Sequence, residues 1–422
     1  MTTQPLQTLK GFRDLMPAEK RQRDFVAGKI IEAFQKFGFE PLETPTLEYA
    51  ELLLDKYGEE ADKLVYTFED RGGRKIGLRY DQTVPTARIL AQYRNNLPKF
   101  FRRYQIQNVF RADKPQQGRY REFTQCDIDI FGSTSPLVDA EILACTFAAY
   151  QNIGFKEIQL KINDRKTLLD ALEPFATIQV DVFSIIQSVD KLDKQTPQEV
   201  AAELVKKGLE TKQAQAALGA LENLKPSENL QAIINQANLL GVPEESLAFS
   251  PALARGLDYY TGMIFEIILP GYEVGSCGGG GRYDNLIGDL CDYPIPAVGV
   301  GIGFDRTVEA AAQLGLIPET AAPCQALVTI FSEELLPQSL KITQQLREQG
   351  VSTIIYPKND SLGKQFKYAN QQNIPWVVII GEEEAATSSV TVKNMQTGEQ
   401  TTMKTENLVE TISLPQSPPE KT

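Results

Sequence analysis

Apolar residues recur at helical spacing from Ala18 to about Phe37, where Phe25, Ile30, Ile31, Phe34 and Phe37 form a stripe that Gly38 closes. The pattern predicts an amphipathic helix. The segment FEPLETPTLE at 39–48 reads as extended chain, held so by Pro41 and Pro45. Alternation in VYTFEDRGG and RKIGLRYDQT predicts a hairpin turned at Gly72 and Gly73, and a helix opens at or just after Thr83 and runs to Tyr93. A strand, loop and returning strand follow over 110–132, then a helix over 137–152. From about 165 to 243 Ala, Leu, Glu, Lys and Gln dominate, as in VAAELVKKGLETKQAQAALGALENL, and predict a helical insertion, bounded at about 168–246. Strand and glycine texture returns in FEIILPGYEV, GSCGGGGRYDNLIG and PAVGVGIGFDRTVEAA.

A boundary is expected near PETAAP at 318–323. Beyond it ALVTIF, a helix at 339–349, VSTIIYP, a helix at 362–372, WVVIIG and a hairpin at 389–404 alternate as in a three-layer α/β domain. The expected organisation is a large domain at 1–320, a smaller one at 324–411 and a disordered tail at 412–422.

Composition narrows the chemistry. Hydrophobic content of 42% and charged content of 23% over 422 residues are those of a water-soluble globular chain. There is no apolar run long enough to cross a membrane and no apolar leader, so a cytoplasmic protein without a membrane partner is expected. Five scattered cysteines without a C-x-x-C pair fit reduced thiols, not a zinc site. The net charge of −12 disfavours non-specific coating of nucleic acid but leaves room for a local basic surface. The chain has no histidine, which removes imidazole bases, Ser-His-Asp triads and histidine metal ligands together.

The stretch FRADKPQQGRYREFTQCDIDIFG at 110–132 carries the clearest chemical signal. Residues two apart share a face of a strand, so Arg119, Arg121, Phe123, Gln125, Asp127 and Asp129 line up, with Tyr120, Glu122, Thr124, Cys126, Ile128 and Ile130 opposite. One face runs from cations through an aromatic and an amide to two carboxylates. From Arg121 to Asp129 is about 26 Å, enough for a nucleoside triphosphate and an amino acid end to end. The plainer reading is a solubilising sheet edge; the ordered polarity favours a site.

Two further segments bear on it. GVGIGFDRT at 299–307 places Arg306 near a helix start behind Gly299, Gly301 and Gly303, a phosphate site or a glycine-lined packing contact. ARGLDYYTG puts Arg255, Asp258, Tyr259 and Tyr260 at a strand mouth. No Walker loop is present, and GSCGGGGRY lacks dinucleotide spacing; its glycines form either a close-packed wall or a flexible loop.

In combination these segments resemble the class II aminoacyl-tRNA synthetases, and within them the histidyl-tRNA synthetase family. FGFEPLETPTLE, the 110–132 stretch and GVGIGFDRT resemble the three class motifs in order. ARGLDYYTG and GGGGRYDNL resemble the two segments peculiar to the histidine enzymes. The resemblance implies an α/β fold: an α+β catalytic core on an antiparallel sheet with a helical insertion, then an anticodon-binding domain. It implies a ligase that activates L-histidine with ATP and Mg²⁺, the ion travelling with ATP and not held by a protein site, and transfers it to tRNA(His). A homodimer is implied through the 18–37 helix and Pro45.

Residue by residue, it implies Arg255, Arg111 and Arg306 as catalytic cations. Asp81, Thr83, Gln125, Asp129, Tyr259 and Tyr260 would take histidine. Arg111, Asp113, Arg119, Arg121, Phe123 and Arg306 would take ATP. Asp113 stands where the family more often has Glu. Lys114 and Gln116 on the loop, and Lys364 and Lys367 beside Lys358 in the last domain, would meet tRNA. The competing readings are the synthetase-like regulatory subunit of ATP phosphoribosyltransferase and a synthetase-like sensor. The intact ARGLDYY, the last domain, and the presence of both Arg111 and Arg306 weigh against them.

Overall fold

The computed structural model describes residues 6–54, 64–114, 120–254, 259–291, 293–318 and 324–413. Two compact units divide the chain, Met1–Ile317 and Pro318–Thr422.

The strands of the first unit are β1 (Glu40–Pro41), β2 (Leu47–Tyr49), β3 (Thr67–Glu69), β4 (Lys75–Leu78), β5 (Phe101–Phe110), β6 (Glu122–Phe131), β7 (Gln159–Asp164), β8 (Leu247–Phe249), β9 (Met263–Ile268), β10 (Gly278–Arg282) and β11 (Ala297–Gly303). Eight of them form one sheet in the order β1-β5-β6-β11-β10-β9-β7-β8. Its six central strands pair antiparallel, with a parallel pair at each edge. The fold class expected from the sequence is the one observed. β3 and β4 make the expected hairpin, and β2 joins them in a small antiparallel sheet.

Alternation along the strands separates core from cavity. Cys126, Ile128 and Ile130 of β6, and Val298, Val300 and Ile302 of β11, enter the main core. There they meet Ile30 and Phe34 of the Pro17–Lys36 helix, Leu143 and Tyr150 of the Pro136–Ile153 helix, and Ile233 of the Glu228–Leu239 helix. The opposite face of the same strands is left to Gln125, Asp127, Asp129 and the glycines of β11.

The first helix differs from its predicted stripe. Its buried side is Arg23, Val26, Ile30, Ala33 and Phe34, while Phe25, Ile31 and Phe37 are only half-buried against the core. The face is rotated because it carries a buried arginine, which a count of apolar positions passes over.

The helices Arg165–Leu172, Val182–Val189, Pro197–Lys207 and Thr211–Glu222 build a separate core from Leu168, Ile185, Ile186, Leu204 and Leu221. The next helix, Glu228–Leu239, packs instead into the main core through Leu230 and Ile233.

The glycine run forms the close-packed wall. As β10 it lies between β9 and β11, and a Cβ on Gly280 would overlap the carbonyl of Gly299. Only glycine lets the strands approach so closely.

In the second unit β12 (Ala326–Val328), β13 (Thr353–Ile355), β14 (Trp376–Ile379), β15 (Ser389–Asn394) and β16 (Gln400–Lys404) form a sheet in the order β13-β12-β14-β15-β16. Ala326, Val328 and Val378 meet Ile342 and Leu346 on one face; Leu327, Val377 and Ile379 meet Ala369 on the other. That is the expected three-layer arrangement.

Candidate active site

A cavity of about 520 Å³ opens on the polar face of β6 and β11. Its lining includes Thr83, Arg111, Asp113, Phe123, Gln125, Asp129, Tyr259, Tyr260 and Arg306, so nine of the residues singled out in the sequence meet in one place. The 110–132 stretch and GVGIGFDRT are brought together because β6 and β11 pair directly, Gln125 opposite Gly303 and Asp129 opposite Gly299.

At one end stand the cations and the aromatic. The guanidinium of Arg111 lies 4.3 Å from the ring centre of Tyr80 and 5.1 Å from that of Phe123, and its Nε donates to the Tyr80 carbonyl at 3.2 Å. Arg306 is exposed in the first turn of the Phe304–Gln313 helix, and its Nη1 donates to the Ser276 carbonyl at 3.0 Å. Asp305 beside it accepts from Arg13 at 2.7 Å, from Arg23 at 2.5 Å and from the Thr124 backbone N–H at 3.1 Å. One carboxylate thereby ties the N-terminal segment, the first helix, β6 and the Arg306 helix together.

At the other end are the carboxylates. Asp129 is 5% exposed, and it accepts from the Tyr283 hydroxyl and pairs with Arg103 at 2.5 Å. Burial raises its carboxyl, and both partners oppose that shift. Burial and the Asp129 charge keep the Tyr283 phenol protonated far above its ordinary range, so it remains a donor. Asp127 accepts from Gln125 Nε2 at 2.9 Å, and burial pushes it up to about 8. The Tyr259 ring packs on Tyr260, with centres 4.3 Å apart, and meets Tyr283 edge-on.

The lining does not include Asp81, Arg121 or Lys114. Asp81 is buried, and its Oδ1 accepts from the Val84 N–H at the start of the Thr83–Gln92 helix. Arg121 precedes the first residue of β6, and its guanidinium donates to the carbonyls of Asp113 and Lys10. Lys114 is exposed. Arg119, Gln116, Arg255 and Asp258 lie outside the described residues. In the second unit Lys367 is exposed and Lys364 pairs with Asp360 at 3.1 Å.

Sequence reasoning placed Asp127 on the site face without a separate role, and gave none to Arg103, Gln105, Gln107 and Tyr283. Arg103, Gln105 and Gln107 on β5 are the direct cross-strand partners of Asp129, Asp127 and Gln125. Their signal is present in FFRRYQIQNVF: Arg103, Gln105 and Gln107 stand at every second position, with Tyr104 and Ile106 between them.

Among the described residues no helix is long and apolar enough to cross a membrane. The family model described as histidyl-tRNA synthetase matches residues 11–306, and that of an anticodon binding domain matches residues 325–413. The chain is 39% identical over 417 residues to the histidine–tRNA ligase of Rhodopirellula baltica, covering 93% of this chain and 94% of that protein. It is 36% identical over 418 residues to that of Wolinella succinogenes, covering 93% and 94%. A solved histidyl-tRNA synthetase from Nostoc sp. PCC 7120 superposes with a TM-score of 0.84 at 32% identity, over 96% of this chain and 98% of that one. With its motifs assembled on one antiparallel sheet and these similarities running over nearly its whole length, the chain belongs to the histidyl-tRNA synthetase family.

Proposed function

We propose that the chain is a histidine–tRNA ligase that joins L-histidine to ATP, forming histidyl-adenylate and pyrophosphate, and passes the acyl group to the 3′ end of tRNA(His) with release of AMP. The observation that carries this reading is the polarity of this cavity, cationic and aromatic at Arg111, Phe123 and Arg306, acidic and phenolic at Asp127, Asp129, Tyr259 and Tyr260. ATP lies along the first part, with Phe123 against adenine, Asp113 beside it and the arginines on phosphate oxygens. Mg²⁺ enters with ATP as part of that substrate. Histidine lies along the second, its imidazole between Asp129 and the tyrosines, its amino end at Thr83 and Gln125.

The histidine carboxylate attacks the α-phosphorus and pyrophosphate leaves. A carboxylate is already ionised at neutral pH, so the step needs no general base, and a chain without histidine is equipped for it. Positioning and charge neutralisation supply the rate. Arg255, by its family motif, neutralises the reacting groups, with Arg111 on the α-phosphate and Arg306 on the γ-phosphate. A site that hydrogen-bonds both ring nitrogens rejects isosteres without them by about 10⁴-fold, so selectivity needs no editing step.

The tRNA acceptor end meets Lys114 and Gln116, and the anticodon arm meets the second unit near Lys364 and Lys367. A cytoplasmic homodimer is the working form; the exposed apolar side chains of Leu47, Tyr49 and Phe68 on the small sheet support an interface there. The domain division is a catalytic unit to about residue 320 with a helical insertion, then the anticodon-binding unit from 324.

The test is histidine-dependent exchange of labelled pyrophosphate into ATP by the purified chain with Mg²⁺ and no tRNA. Exchange confined to histidine is expected. A folded protein that catalyses none would overturn the reading in favour of a regulatory subunit without ligase chemistry.

A further inference from the structure

Three buried acceptor atoms of cavity-lining residues have no hydrogen-bond partner among the described residues; Oδ2 of Asp129 is ion-paired with Arg103, which leaves Oε1 of Gln125 and Oδ1 of Asp127. The residues are two apart on one face of β6, and their remaining polar atoms bond each other, Gln125 Nε2 donating to Asp127 Oδ2. One amide N–H is thus used within the protein, and the atoms of the pair left without a partner are two oxygens. Asp127 is 4% exposed, so the water that would otherwise satisfy Oδ1 is largely excluded.

The charges around Asp127 are also unbalanced. On its own strand is Asp129. From β5 come Arg103 and the neutral Gln105, its direct partner. Asp81 faces it from the segment before the Thr83–Gln92 helix. β11 contributes only glycine: Gly301 lies directly opposite, and a Cβ there would stand 3.2 Å from Asp127 Oδ1. On β6 and β5 the two carboxyl groups of Asp127 and Asp129 therefore share one guanidinium, and that guanidinium is already paired with Asp129.

We infer that Asp127 supplies the counter-charge for the α-ammonium of the amino-acid substrate, which it receives together with Gln125 Oε1. An ammonium brings three donors and one positive charge, which answers both the two acceptors and the charge imbalance. A neutral ring N–H brings one donor and no charge. The inference rests on the histidine-activating reading and adds to it a specificity-determining residue.

A proton accompanies the event. Burial pushes Asp127 up to about 8, opposed by Arg103 and reinforced by Asp129 and Asp81, so in the free protein at neutral pH it is a carboxylic acid. The arriving ammonium stabilises the carboxylate, the acid proton leaves to solvent, and the ammonium keeps its own three.

Calorimetric titration of the full chain at pH 7.5, in two buffers of different ionisation enthalpy, counts that proton. Ligands are histidine, histidinol (ammonium kept, carboxylate absent) and imidazolepropionate (ammonium absent). Histidine and histidinol should each release about 0.7 proton beyond imidazolepropionate, the fraction of Asp127 protonated at that pH. In Asp127→Asn the extra release should vanish and histidine affinity fall about 10- to 100-fold, with imidazolepropionate affinity unchanged. Equal proton release by all three ligands in the unaltered protein, which needs no variant to fold, overturns the inference. So does a folded Asn variant with undiminished histidine affinity. Absence of histidine binding by the unaltered protein overturns the histidine-activating reading itself, and the inference falls with it.

Discussion

Asp129 on β6 and Gly299 on β11 are cross-strand partners, and the carboxylate of the first occupies the space where a Cβ on the second would stand. The same Cβ would also lie 2.6 Å from the Ile128 carbonyl, so neither side chain nor strand can yield easily. Gly299→Ala should therefore displace Asp129 from Tyr283 and Arg103. The expected result is a rise of about 100-fold or more in KM for histidine and a stability loss of about 1–3 kcal/mol. Gly301→Ala is the comparison: its Cβ meets Asp127 Oδ1 at 3.2 Å and should cost less in both measures. Exchange kinetics and thermal melts on the two variants check the order; equal behaviour would refute it.

Arg103 is 1% exposed and is the guanidinium paired with Asp129. Removing it alone in Arg103→Met leaves a buried carboxylate uncompensated, an expected cost of about 3–5 kcal/mol. Adding Asp129→Leu removes the stranded charge as well, so the double variant should be more stable than Arg103→Met, while still failing to bind histidine. Denaturant unfolding of the three proteins tests this. A double variant less stable than the single would show that the pair is not what Arg103 contributes.

This pair also marks how far the sequence could be read. Period-two alternation in CDIDIF located the acidic face correctly, because a strand with one side in the core must place polar residues on the other. It could not say that Arg103, on a strand about twenty residues earlier, stands directly across from Asp129, since pairing register depends on the whole sheet. Arg121, one residue before β6, shows a second limit: alternation says nothing of the Asp113 and Lys10 carbonyls to which its guanidinium donates. The Gly-rich run was ambiguous for a related reason. Four adjacent glycines suit a loop by propensity, and only the closeness of β9 and β11 makes them a strand.

Arg23 escaped the apolar stripe of the first helix yet lies on its buried side, joined to Asp305 at 2.5 Å and to the Thr124 hydroxyl at 2.8 Å. Since Asp305 also holds the Thr124 N–H and precedes Arg306, losing Arg23 should loosen the phosphate end and leave the acidic end in place. Arg23→Met is expected to raise KM for ATP about tenfold with KM for histidine nearly unchanged, in line with about 1.4 kcal/mol of lost positioning. Arg23→Lys should recover part of it. Pyrophosphate exchange at varied ATP and histidine checks the split; equal rises in both constants would mean that Arg23 supports the fold and not that end of the cavity.

Asp127 makes a prediction about stability that runs opposite to the usual loss on mutation. Its folded-state pKa of about 8 lies well above the ordinary carboxylate value near 3.8, so the fold binds a proton that the unfolded chain gives up. Below about pH 4 both states are protonated and Asp127 costs no ionisation energy. Between pH 4 and pH 8 the unfolded chain ionises while the fold does not, and stability falls steadily. Above pH 8 the fold ionises too and the loss levels off. Asn cannot ionise, so in the absence of substrate Asp127→Asn should gain on the parent across that window, by on the order of 5 kcal/mol at its upper end. Urea unfolding of both proteins at pH 5, 6.5 and 8 reads the difference directly. A gap that stays constant over this range would show that Asp127 ionises as readily in the fold as in the unfolded chain. Histidine at saturating concentration should close the gap, because the ammonium then offsets the buried charge in the parent alone.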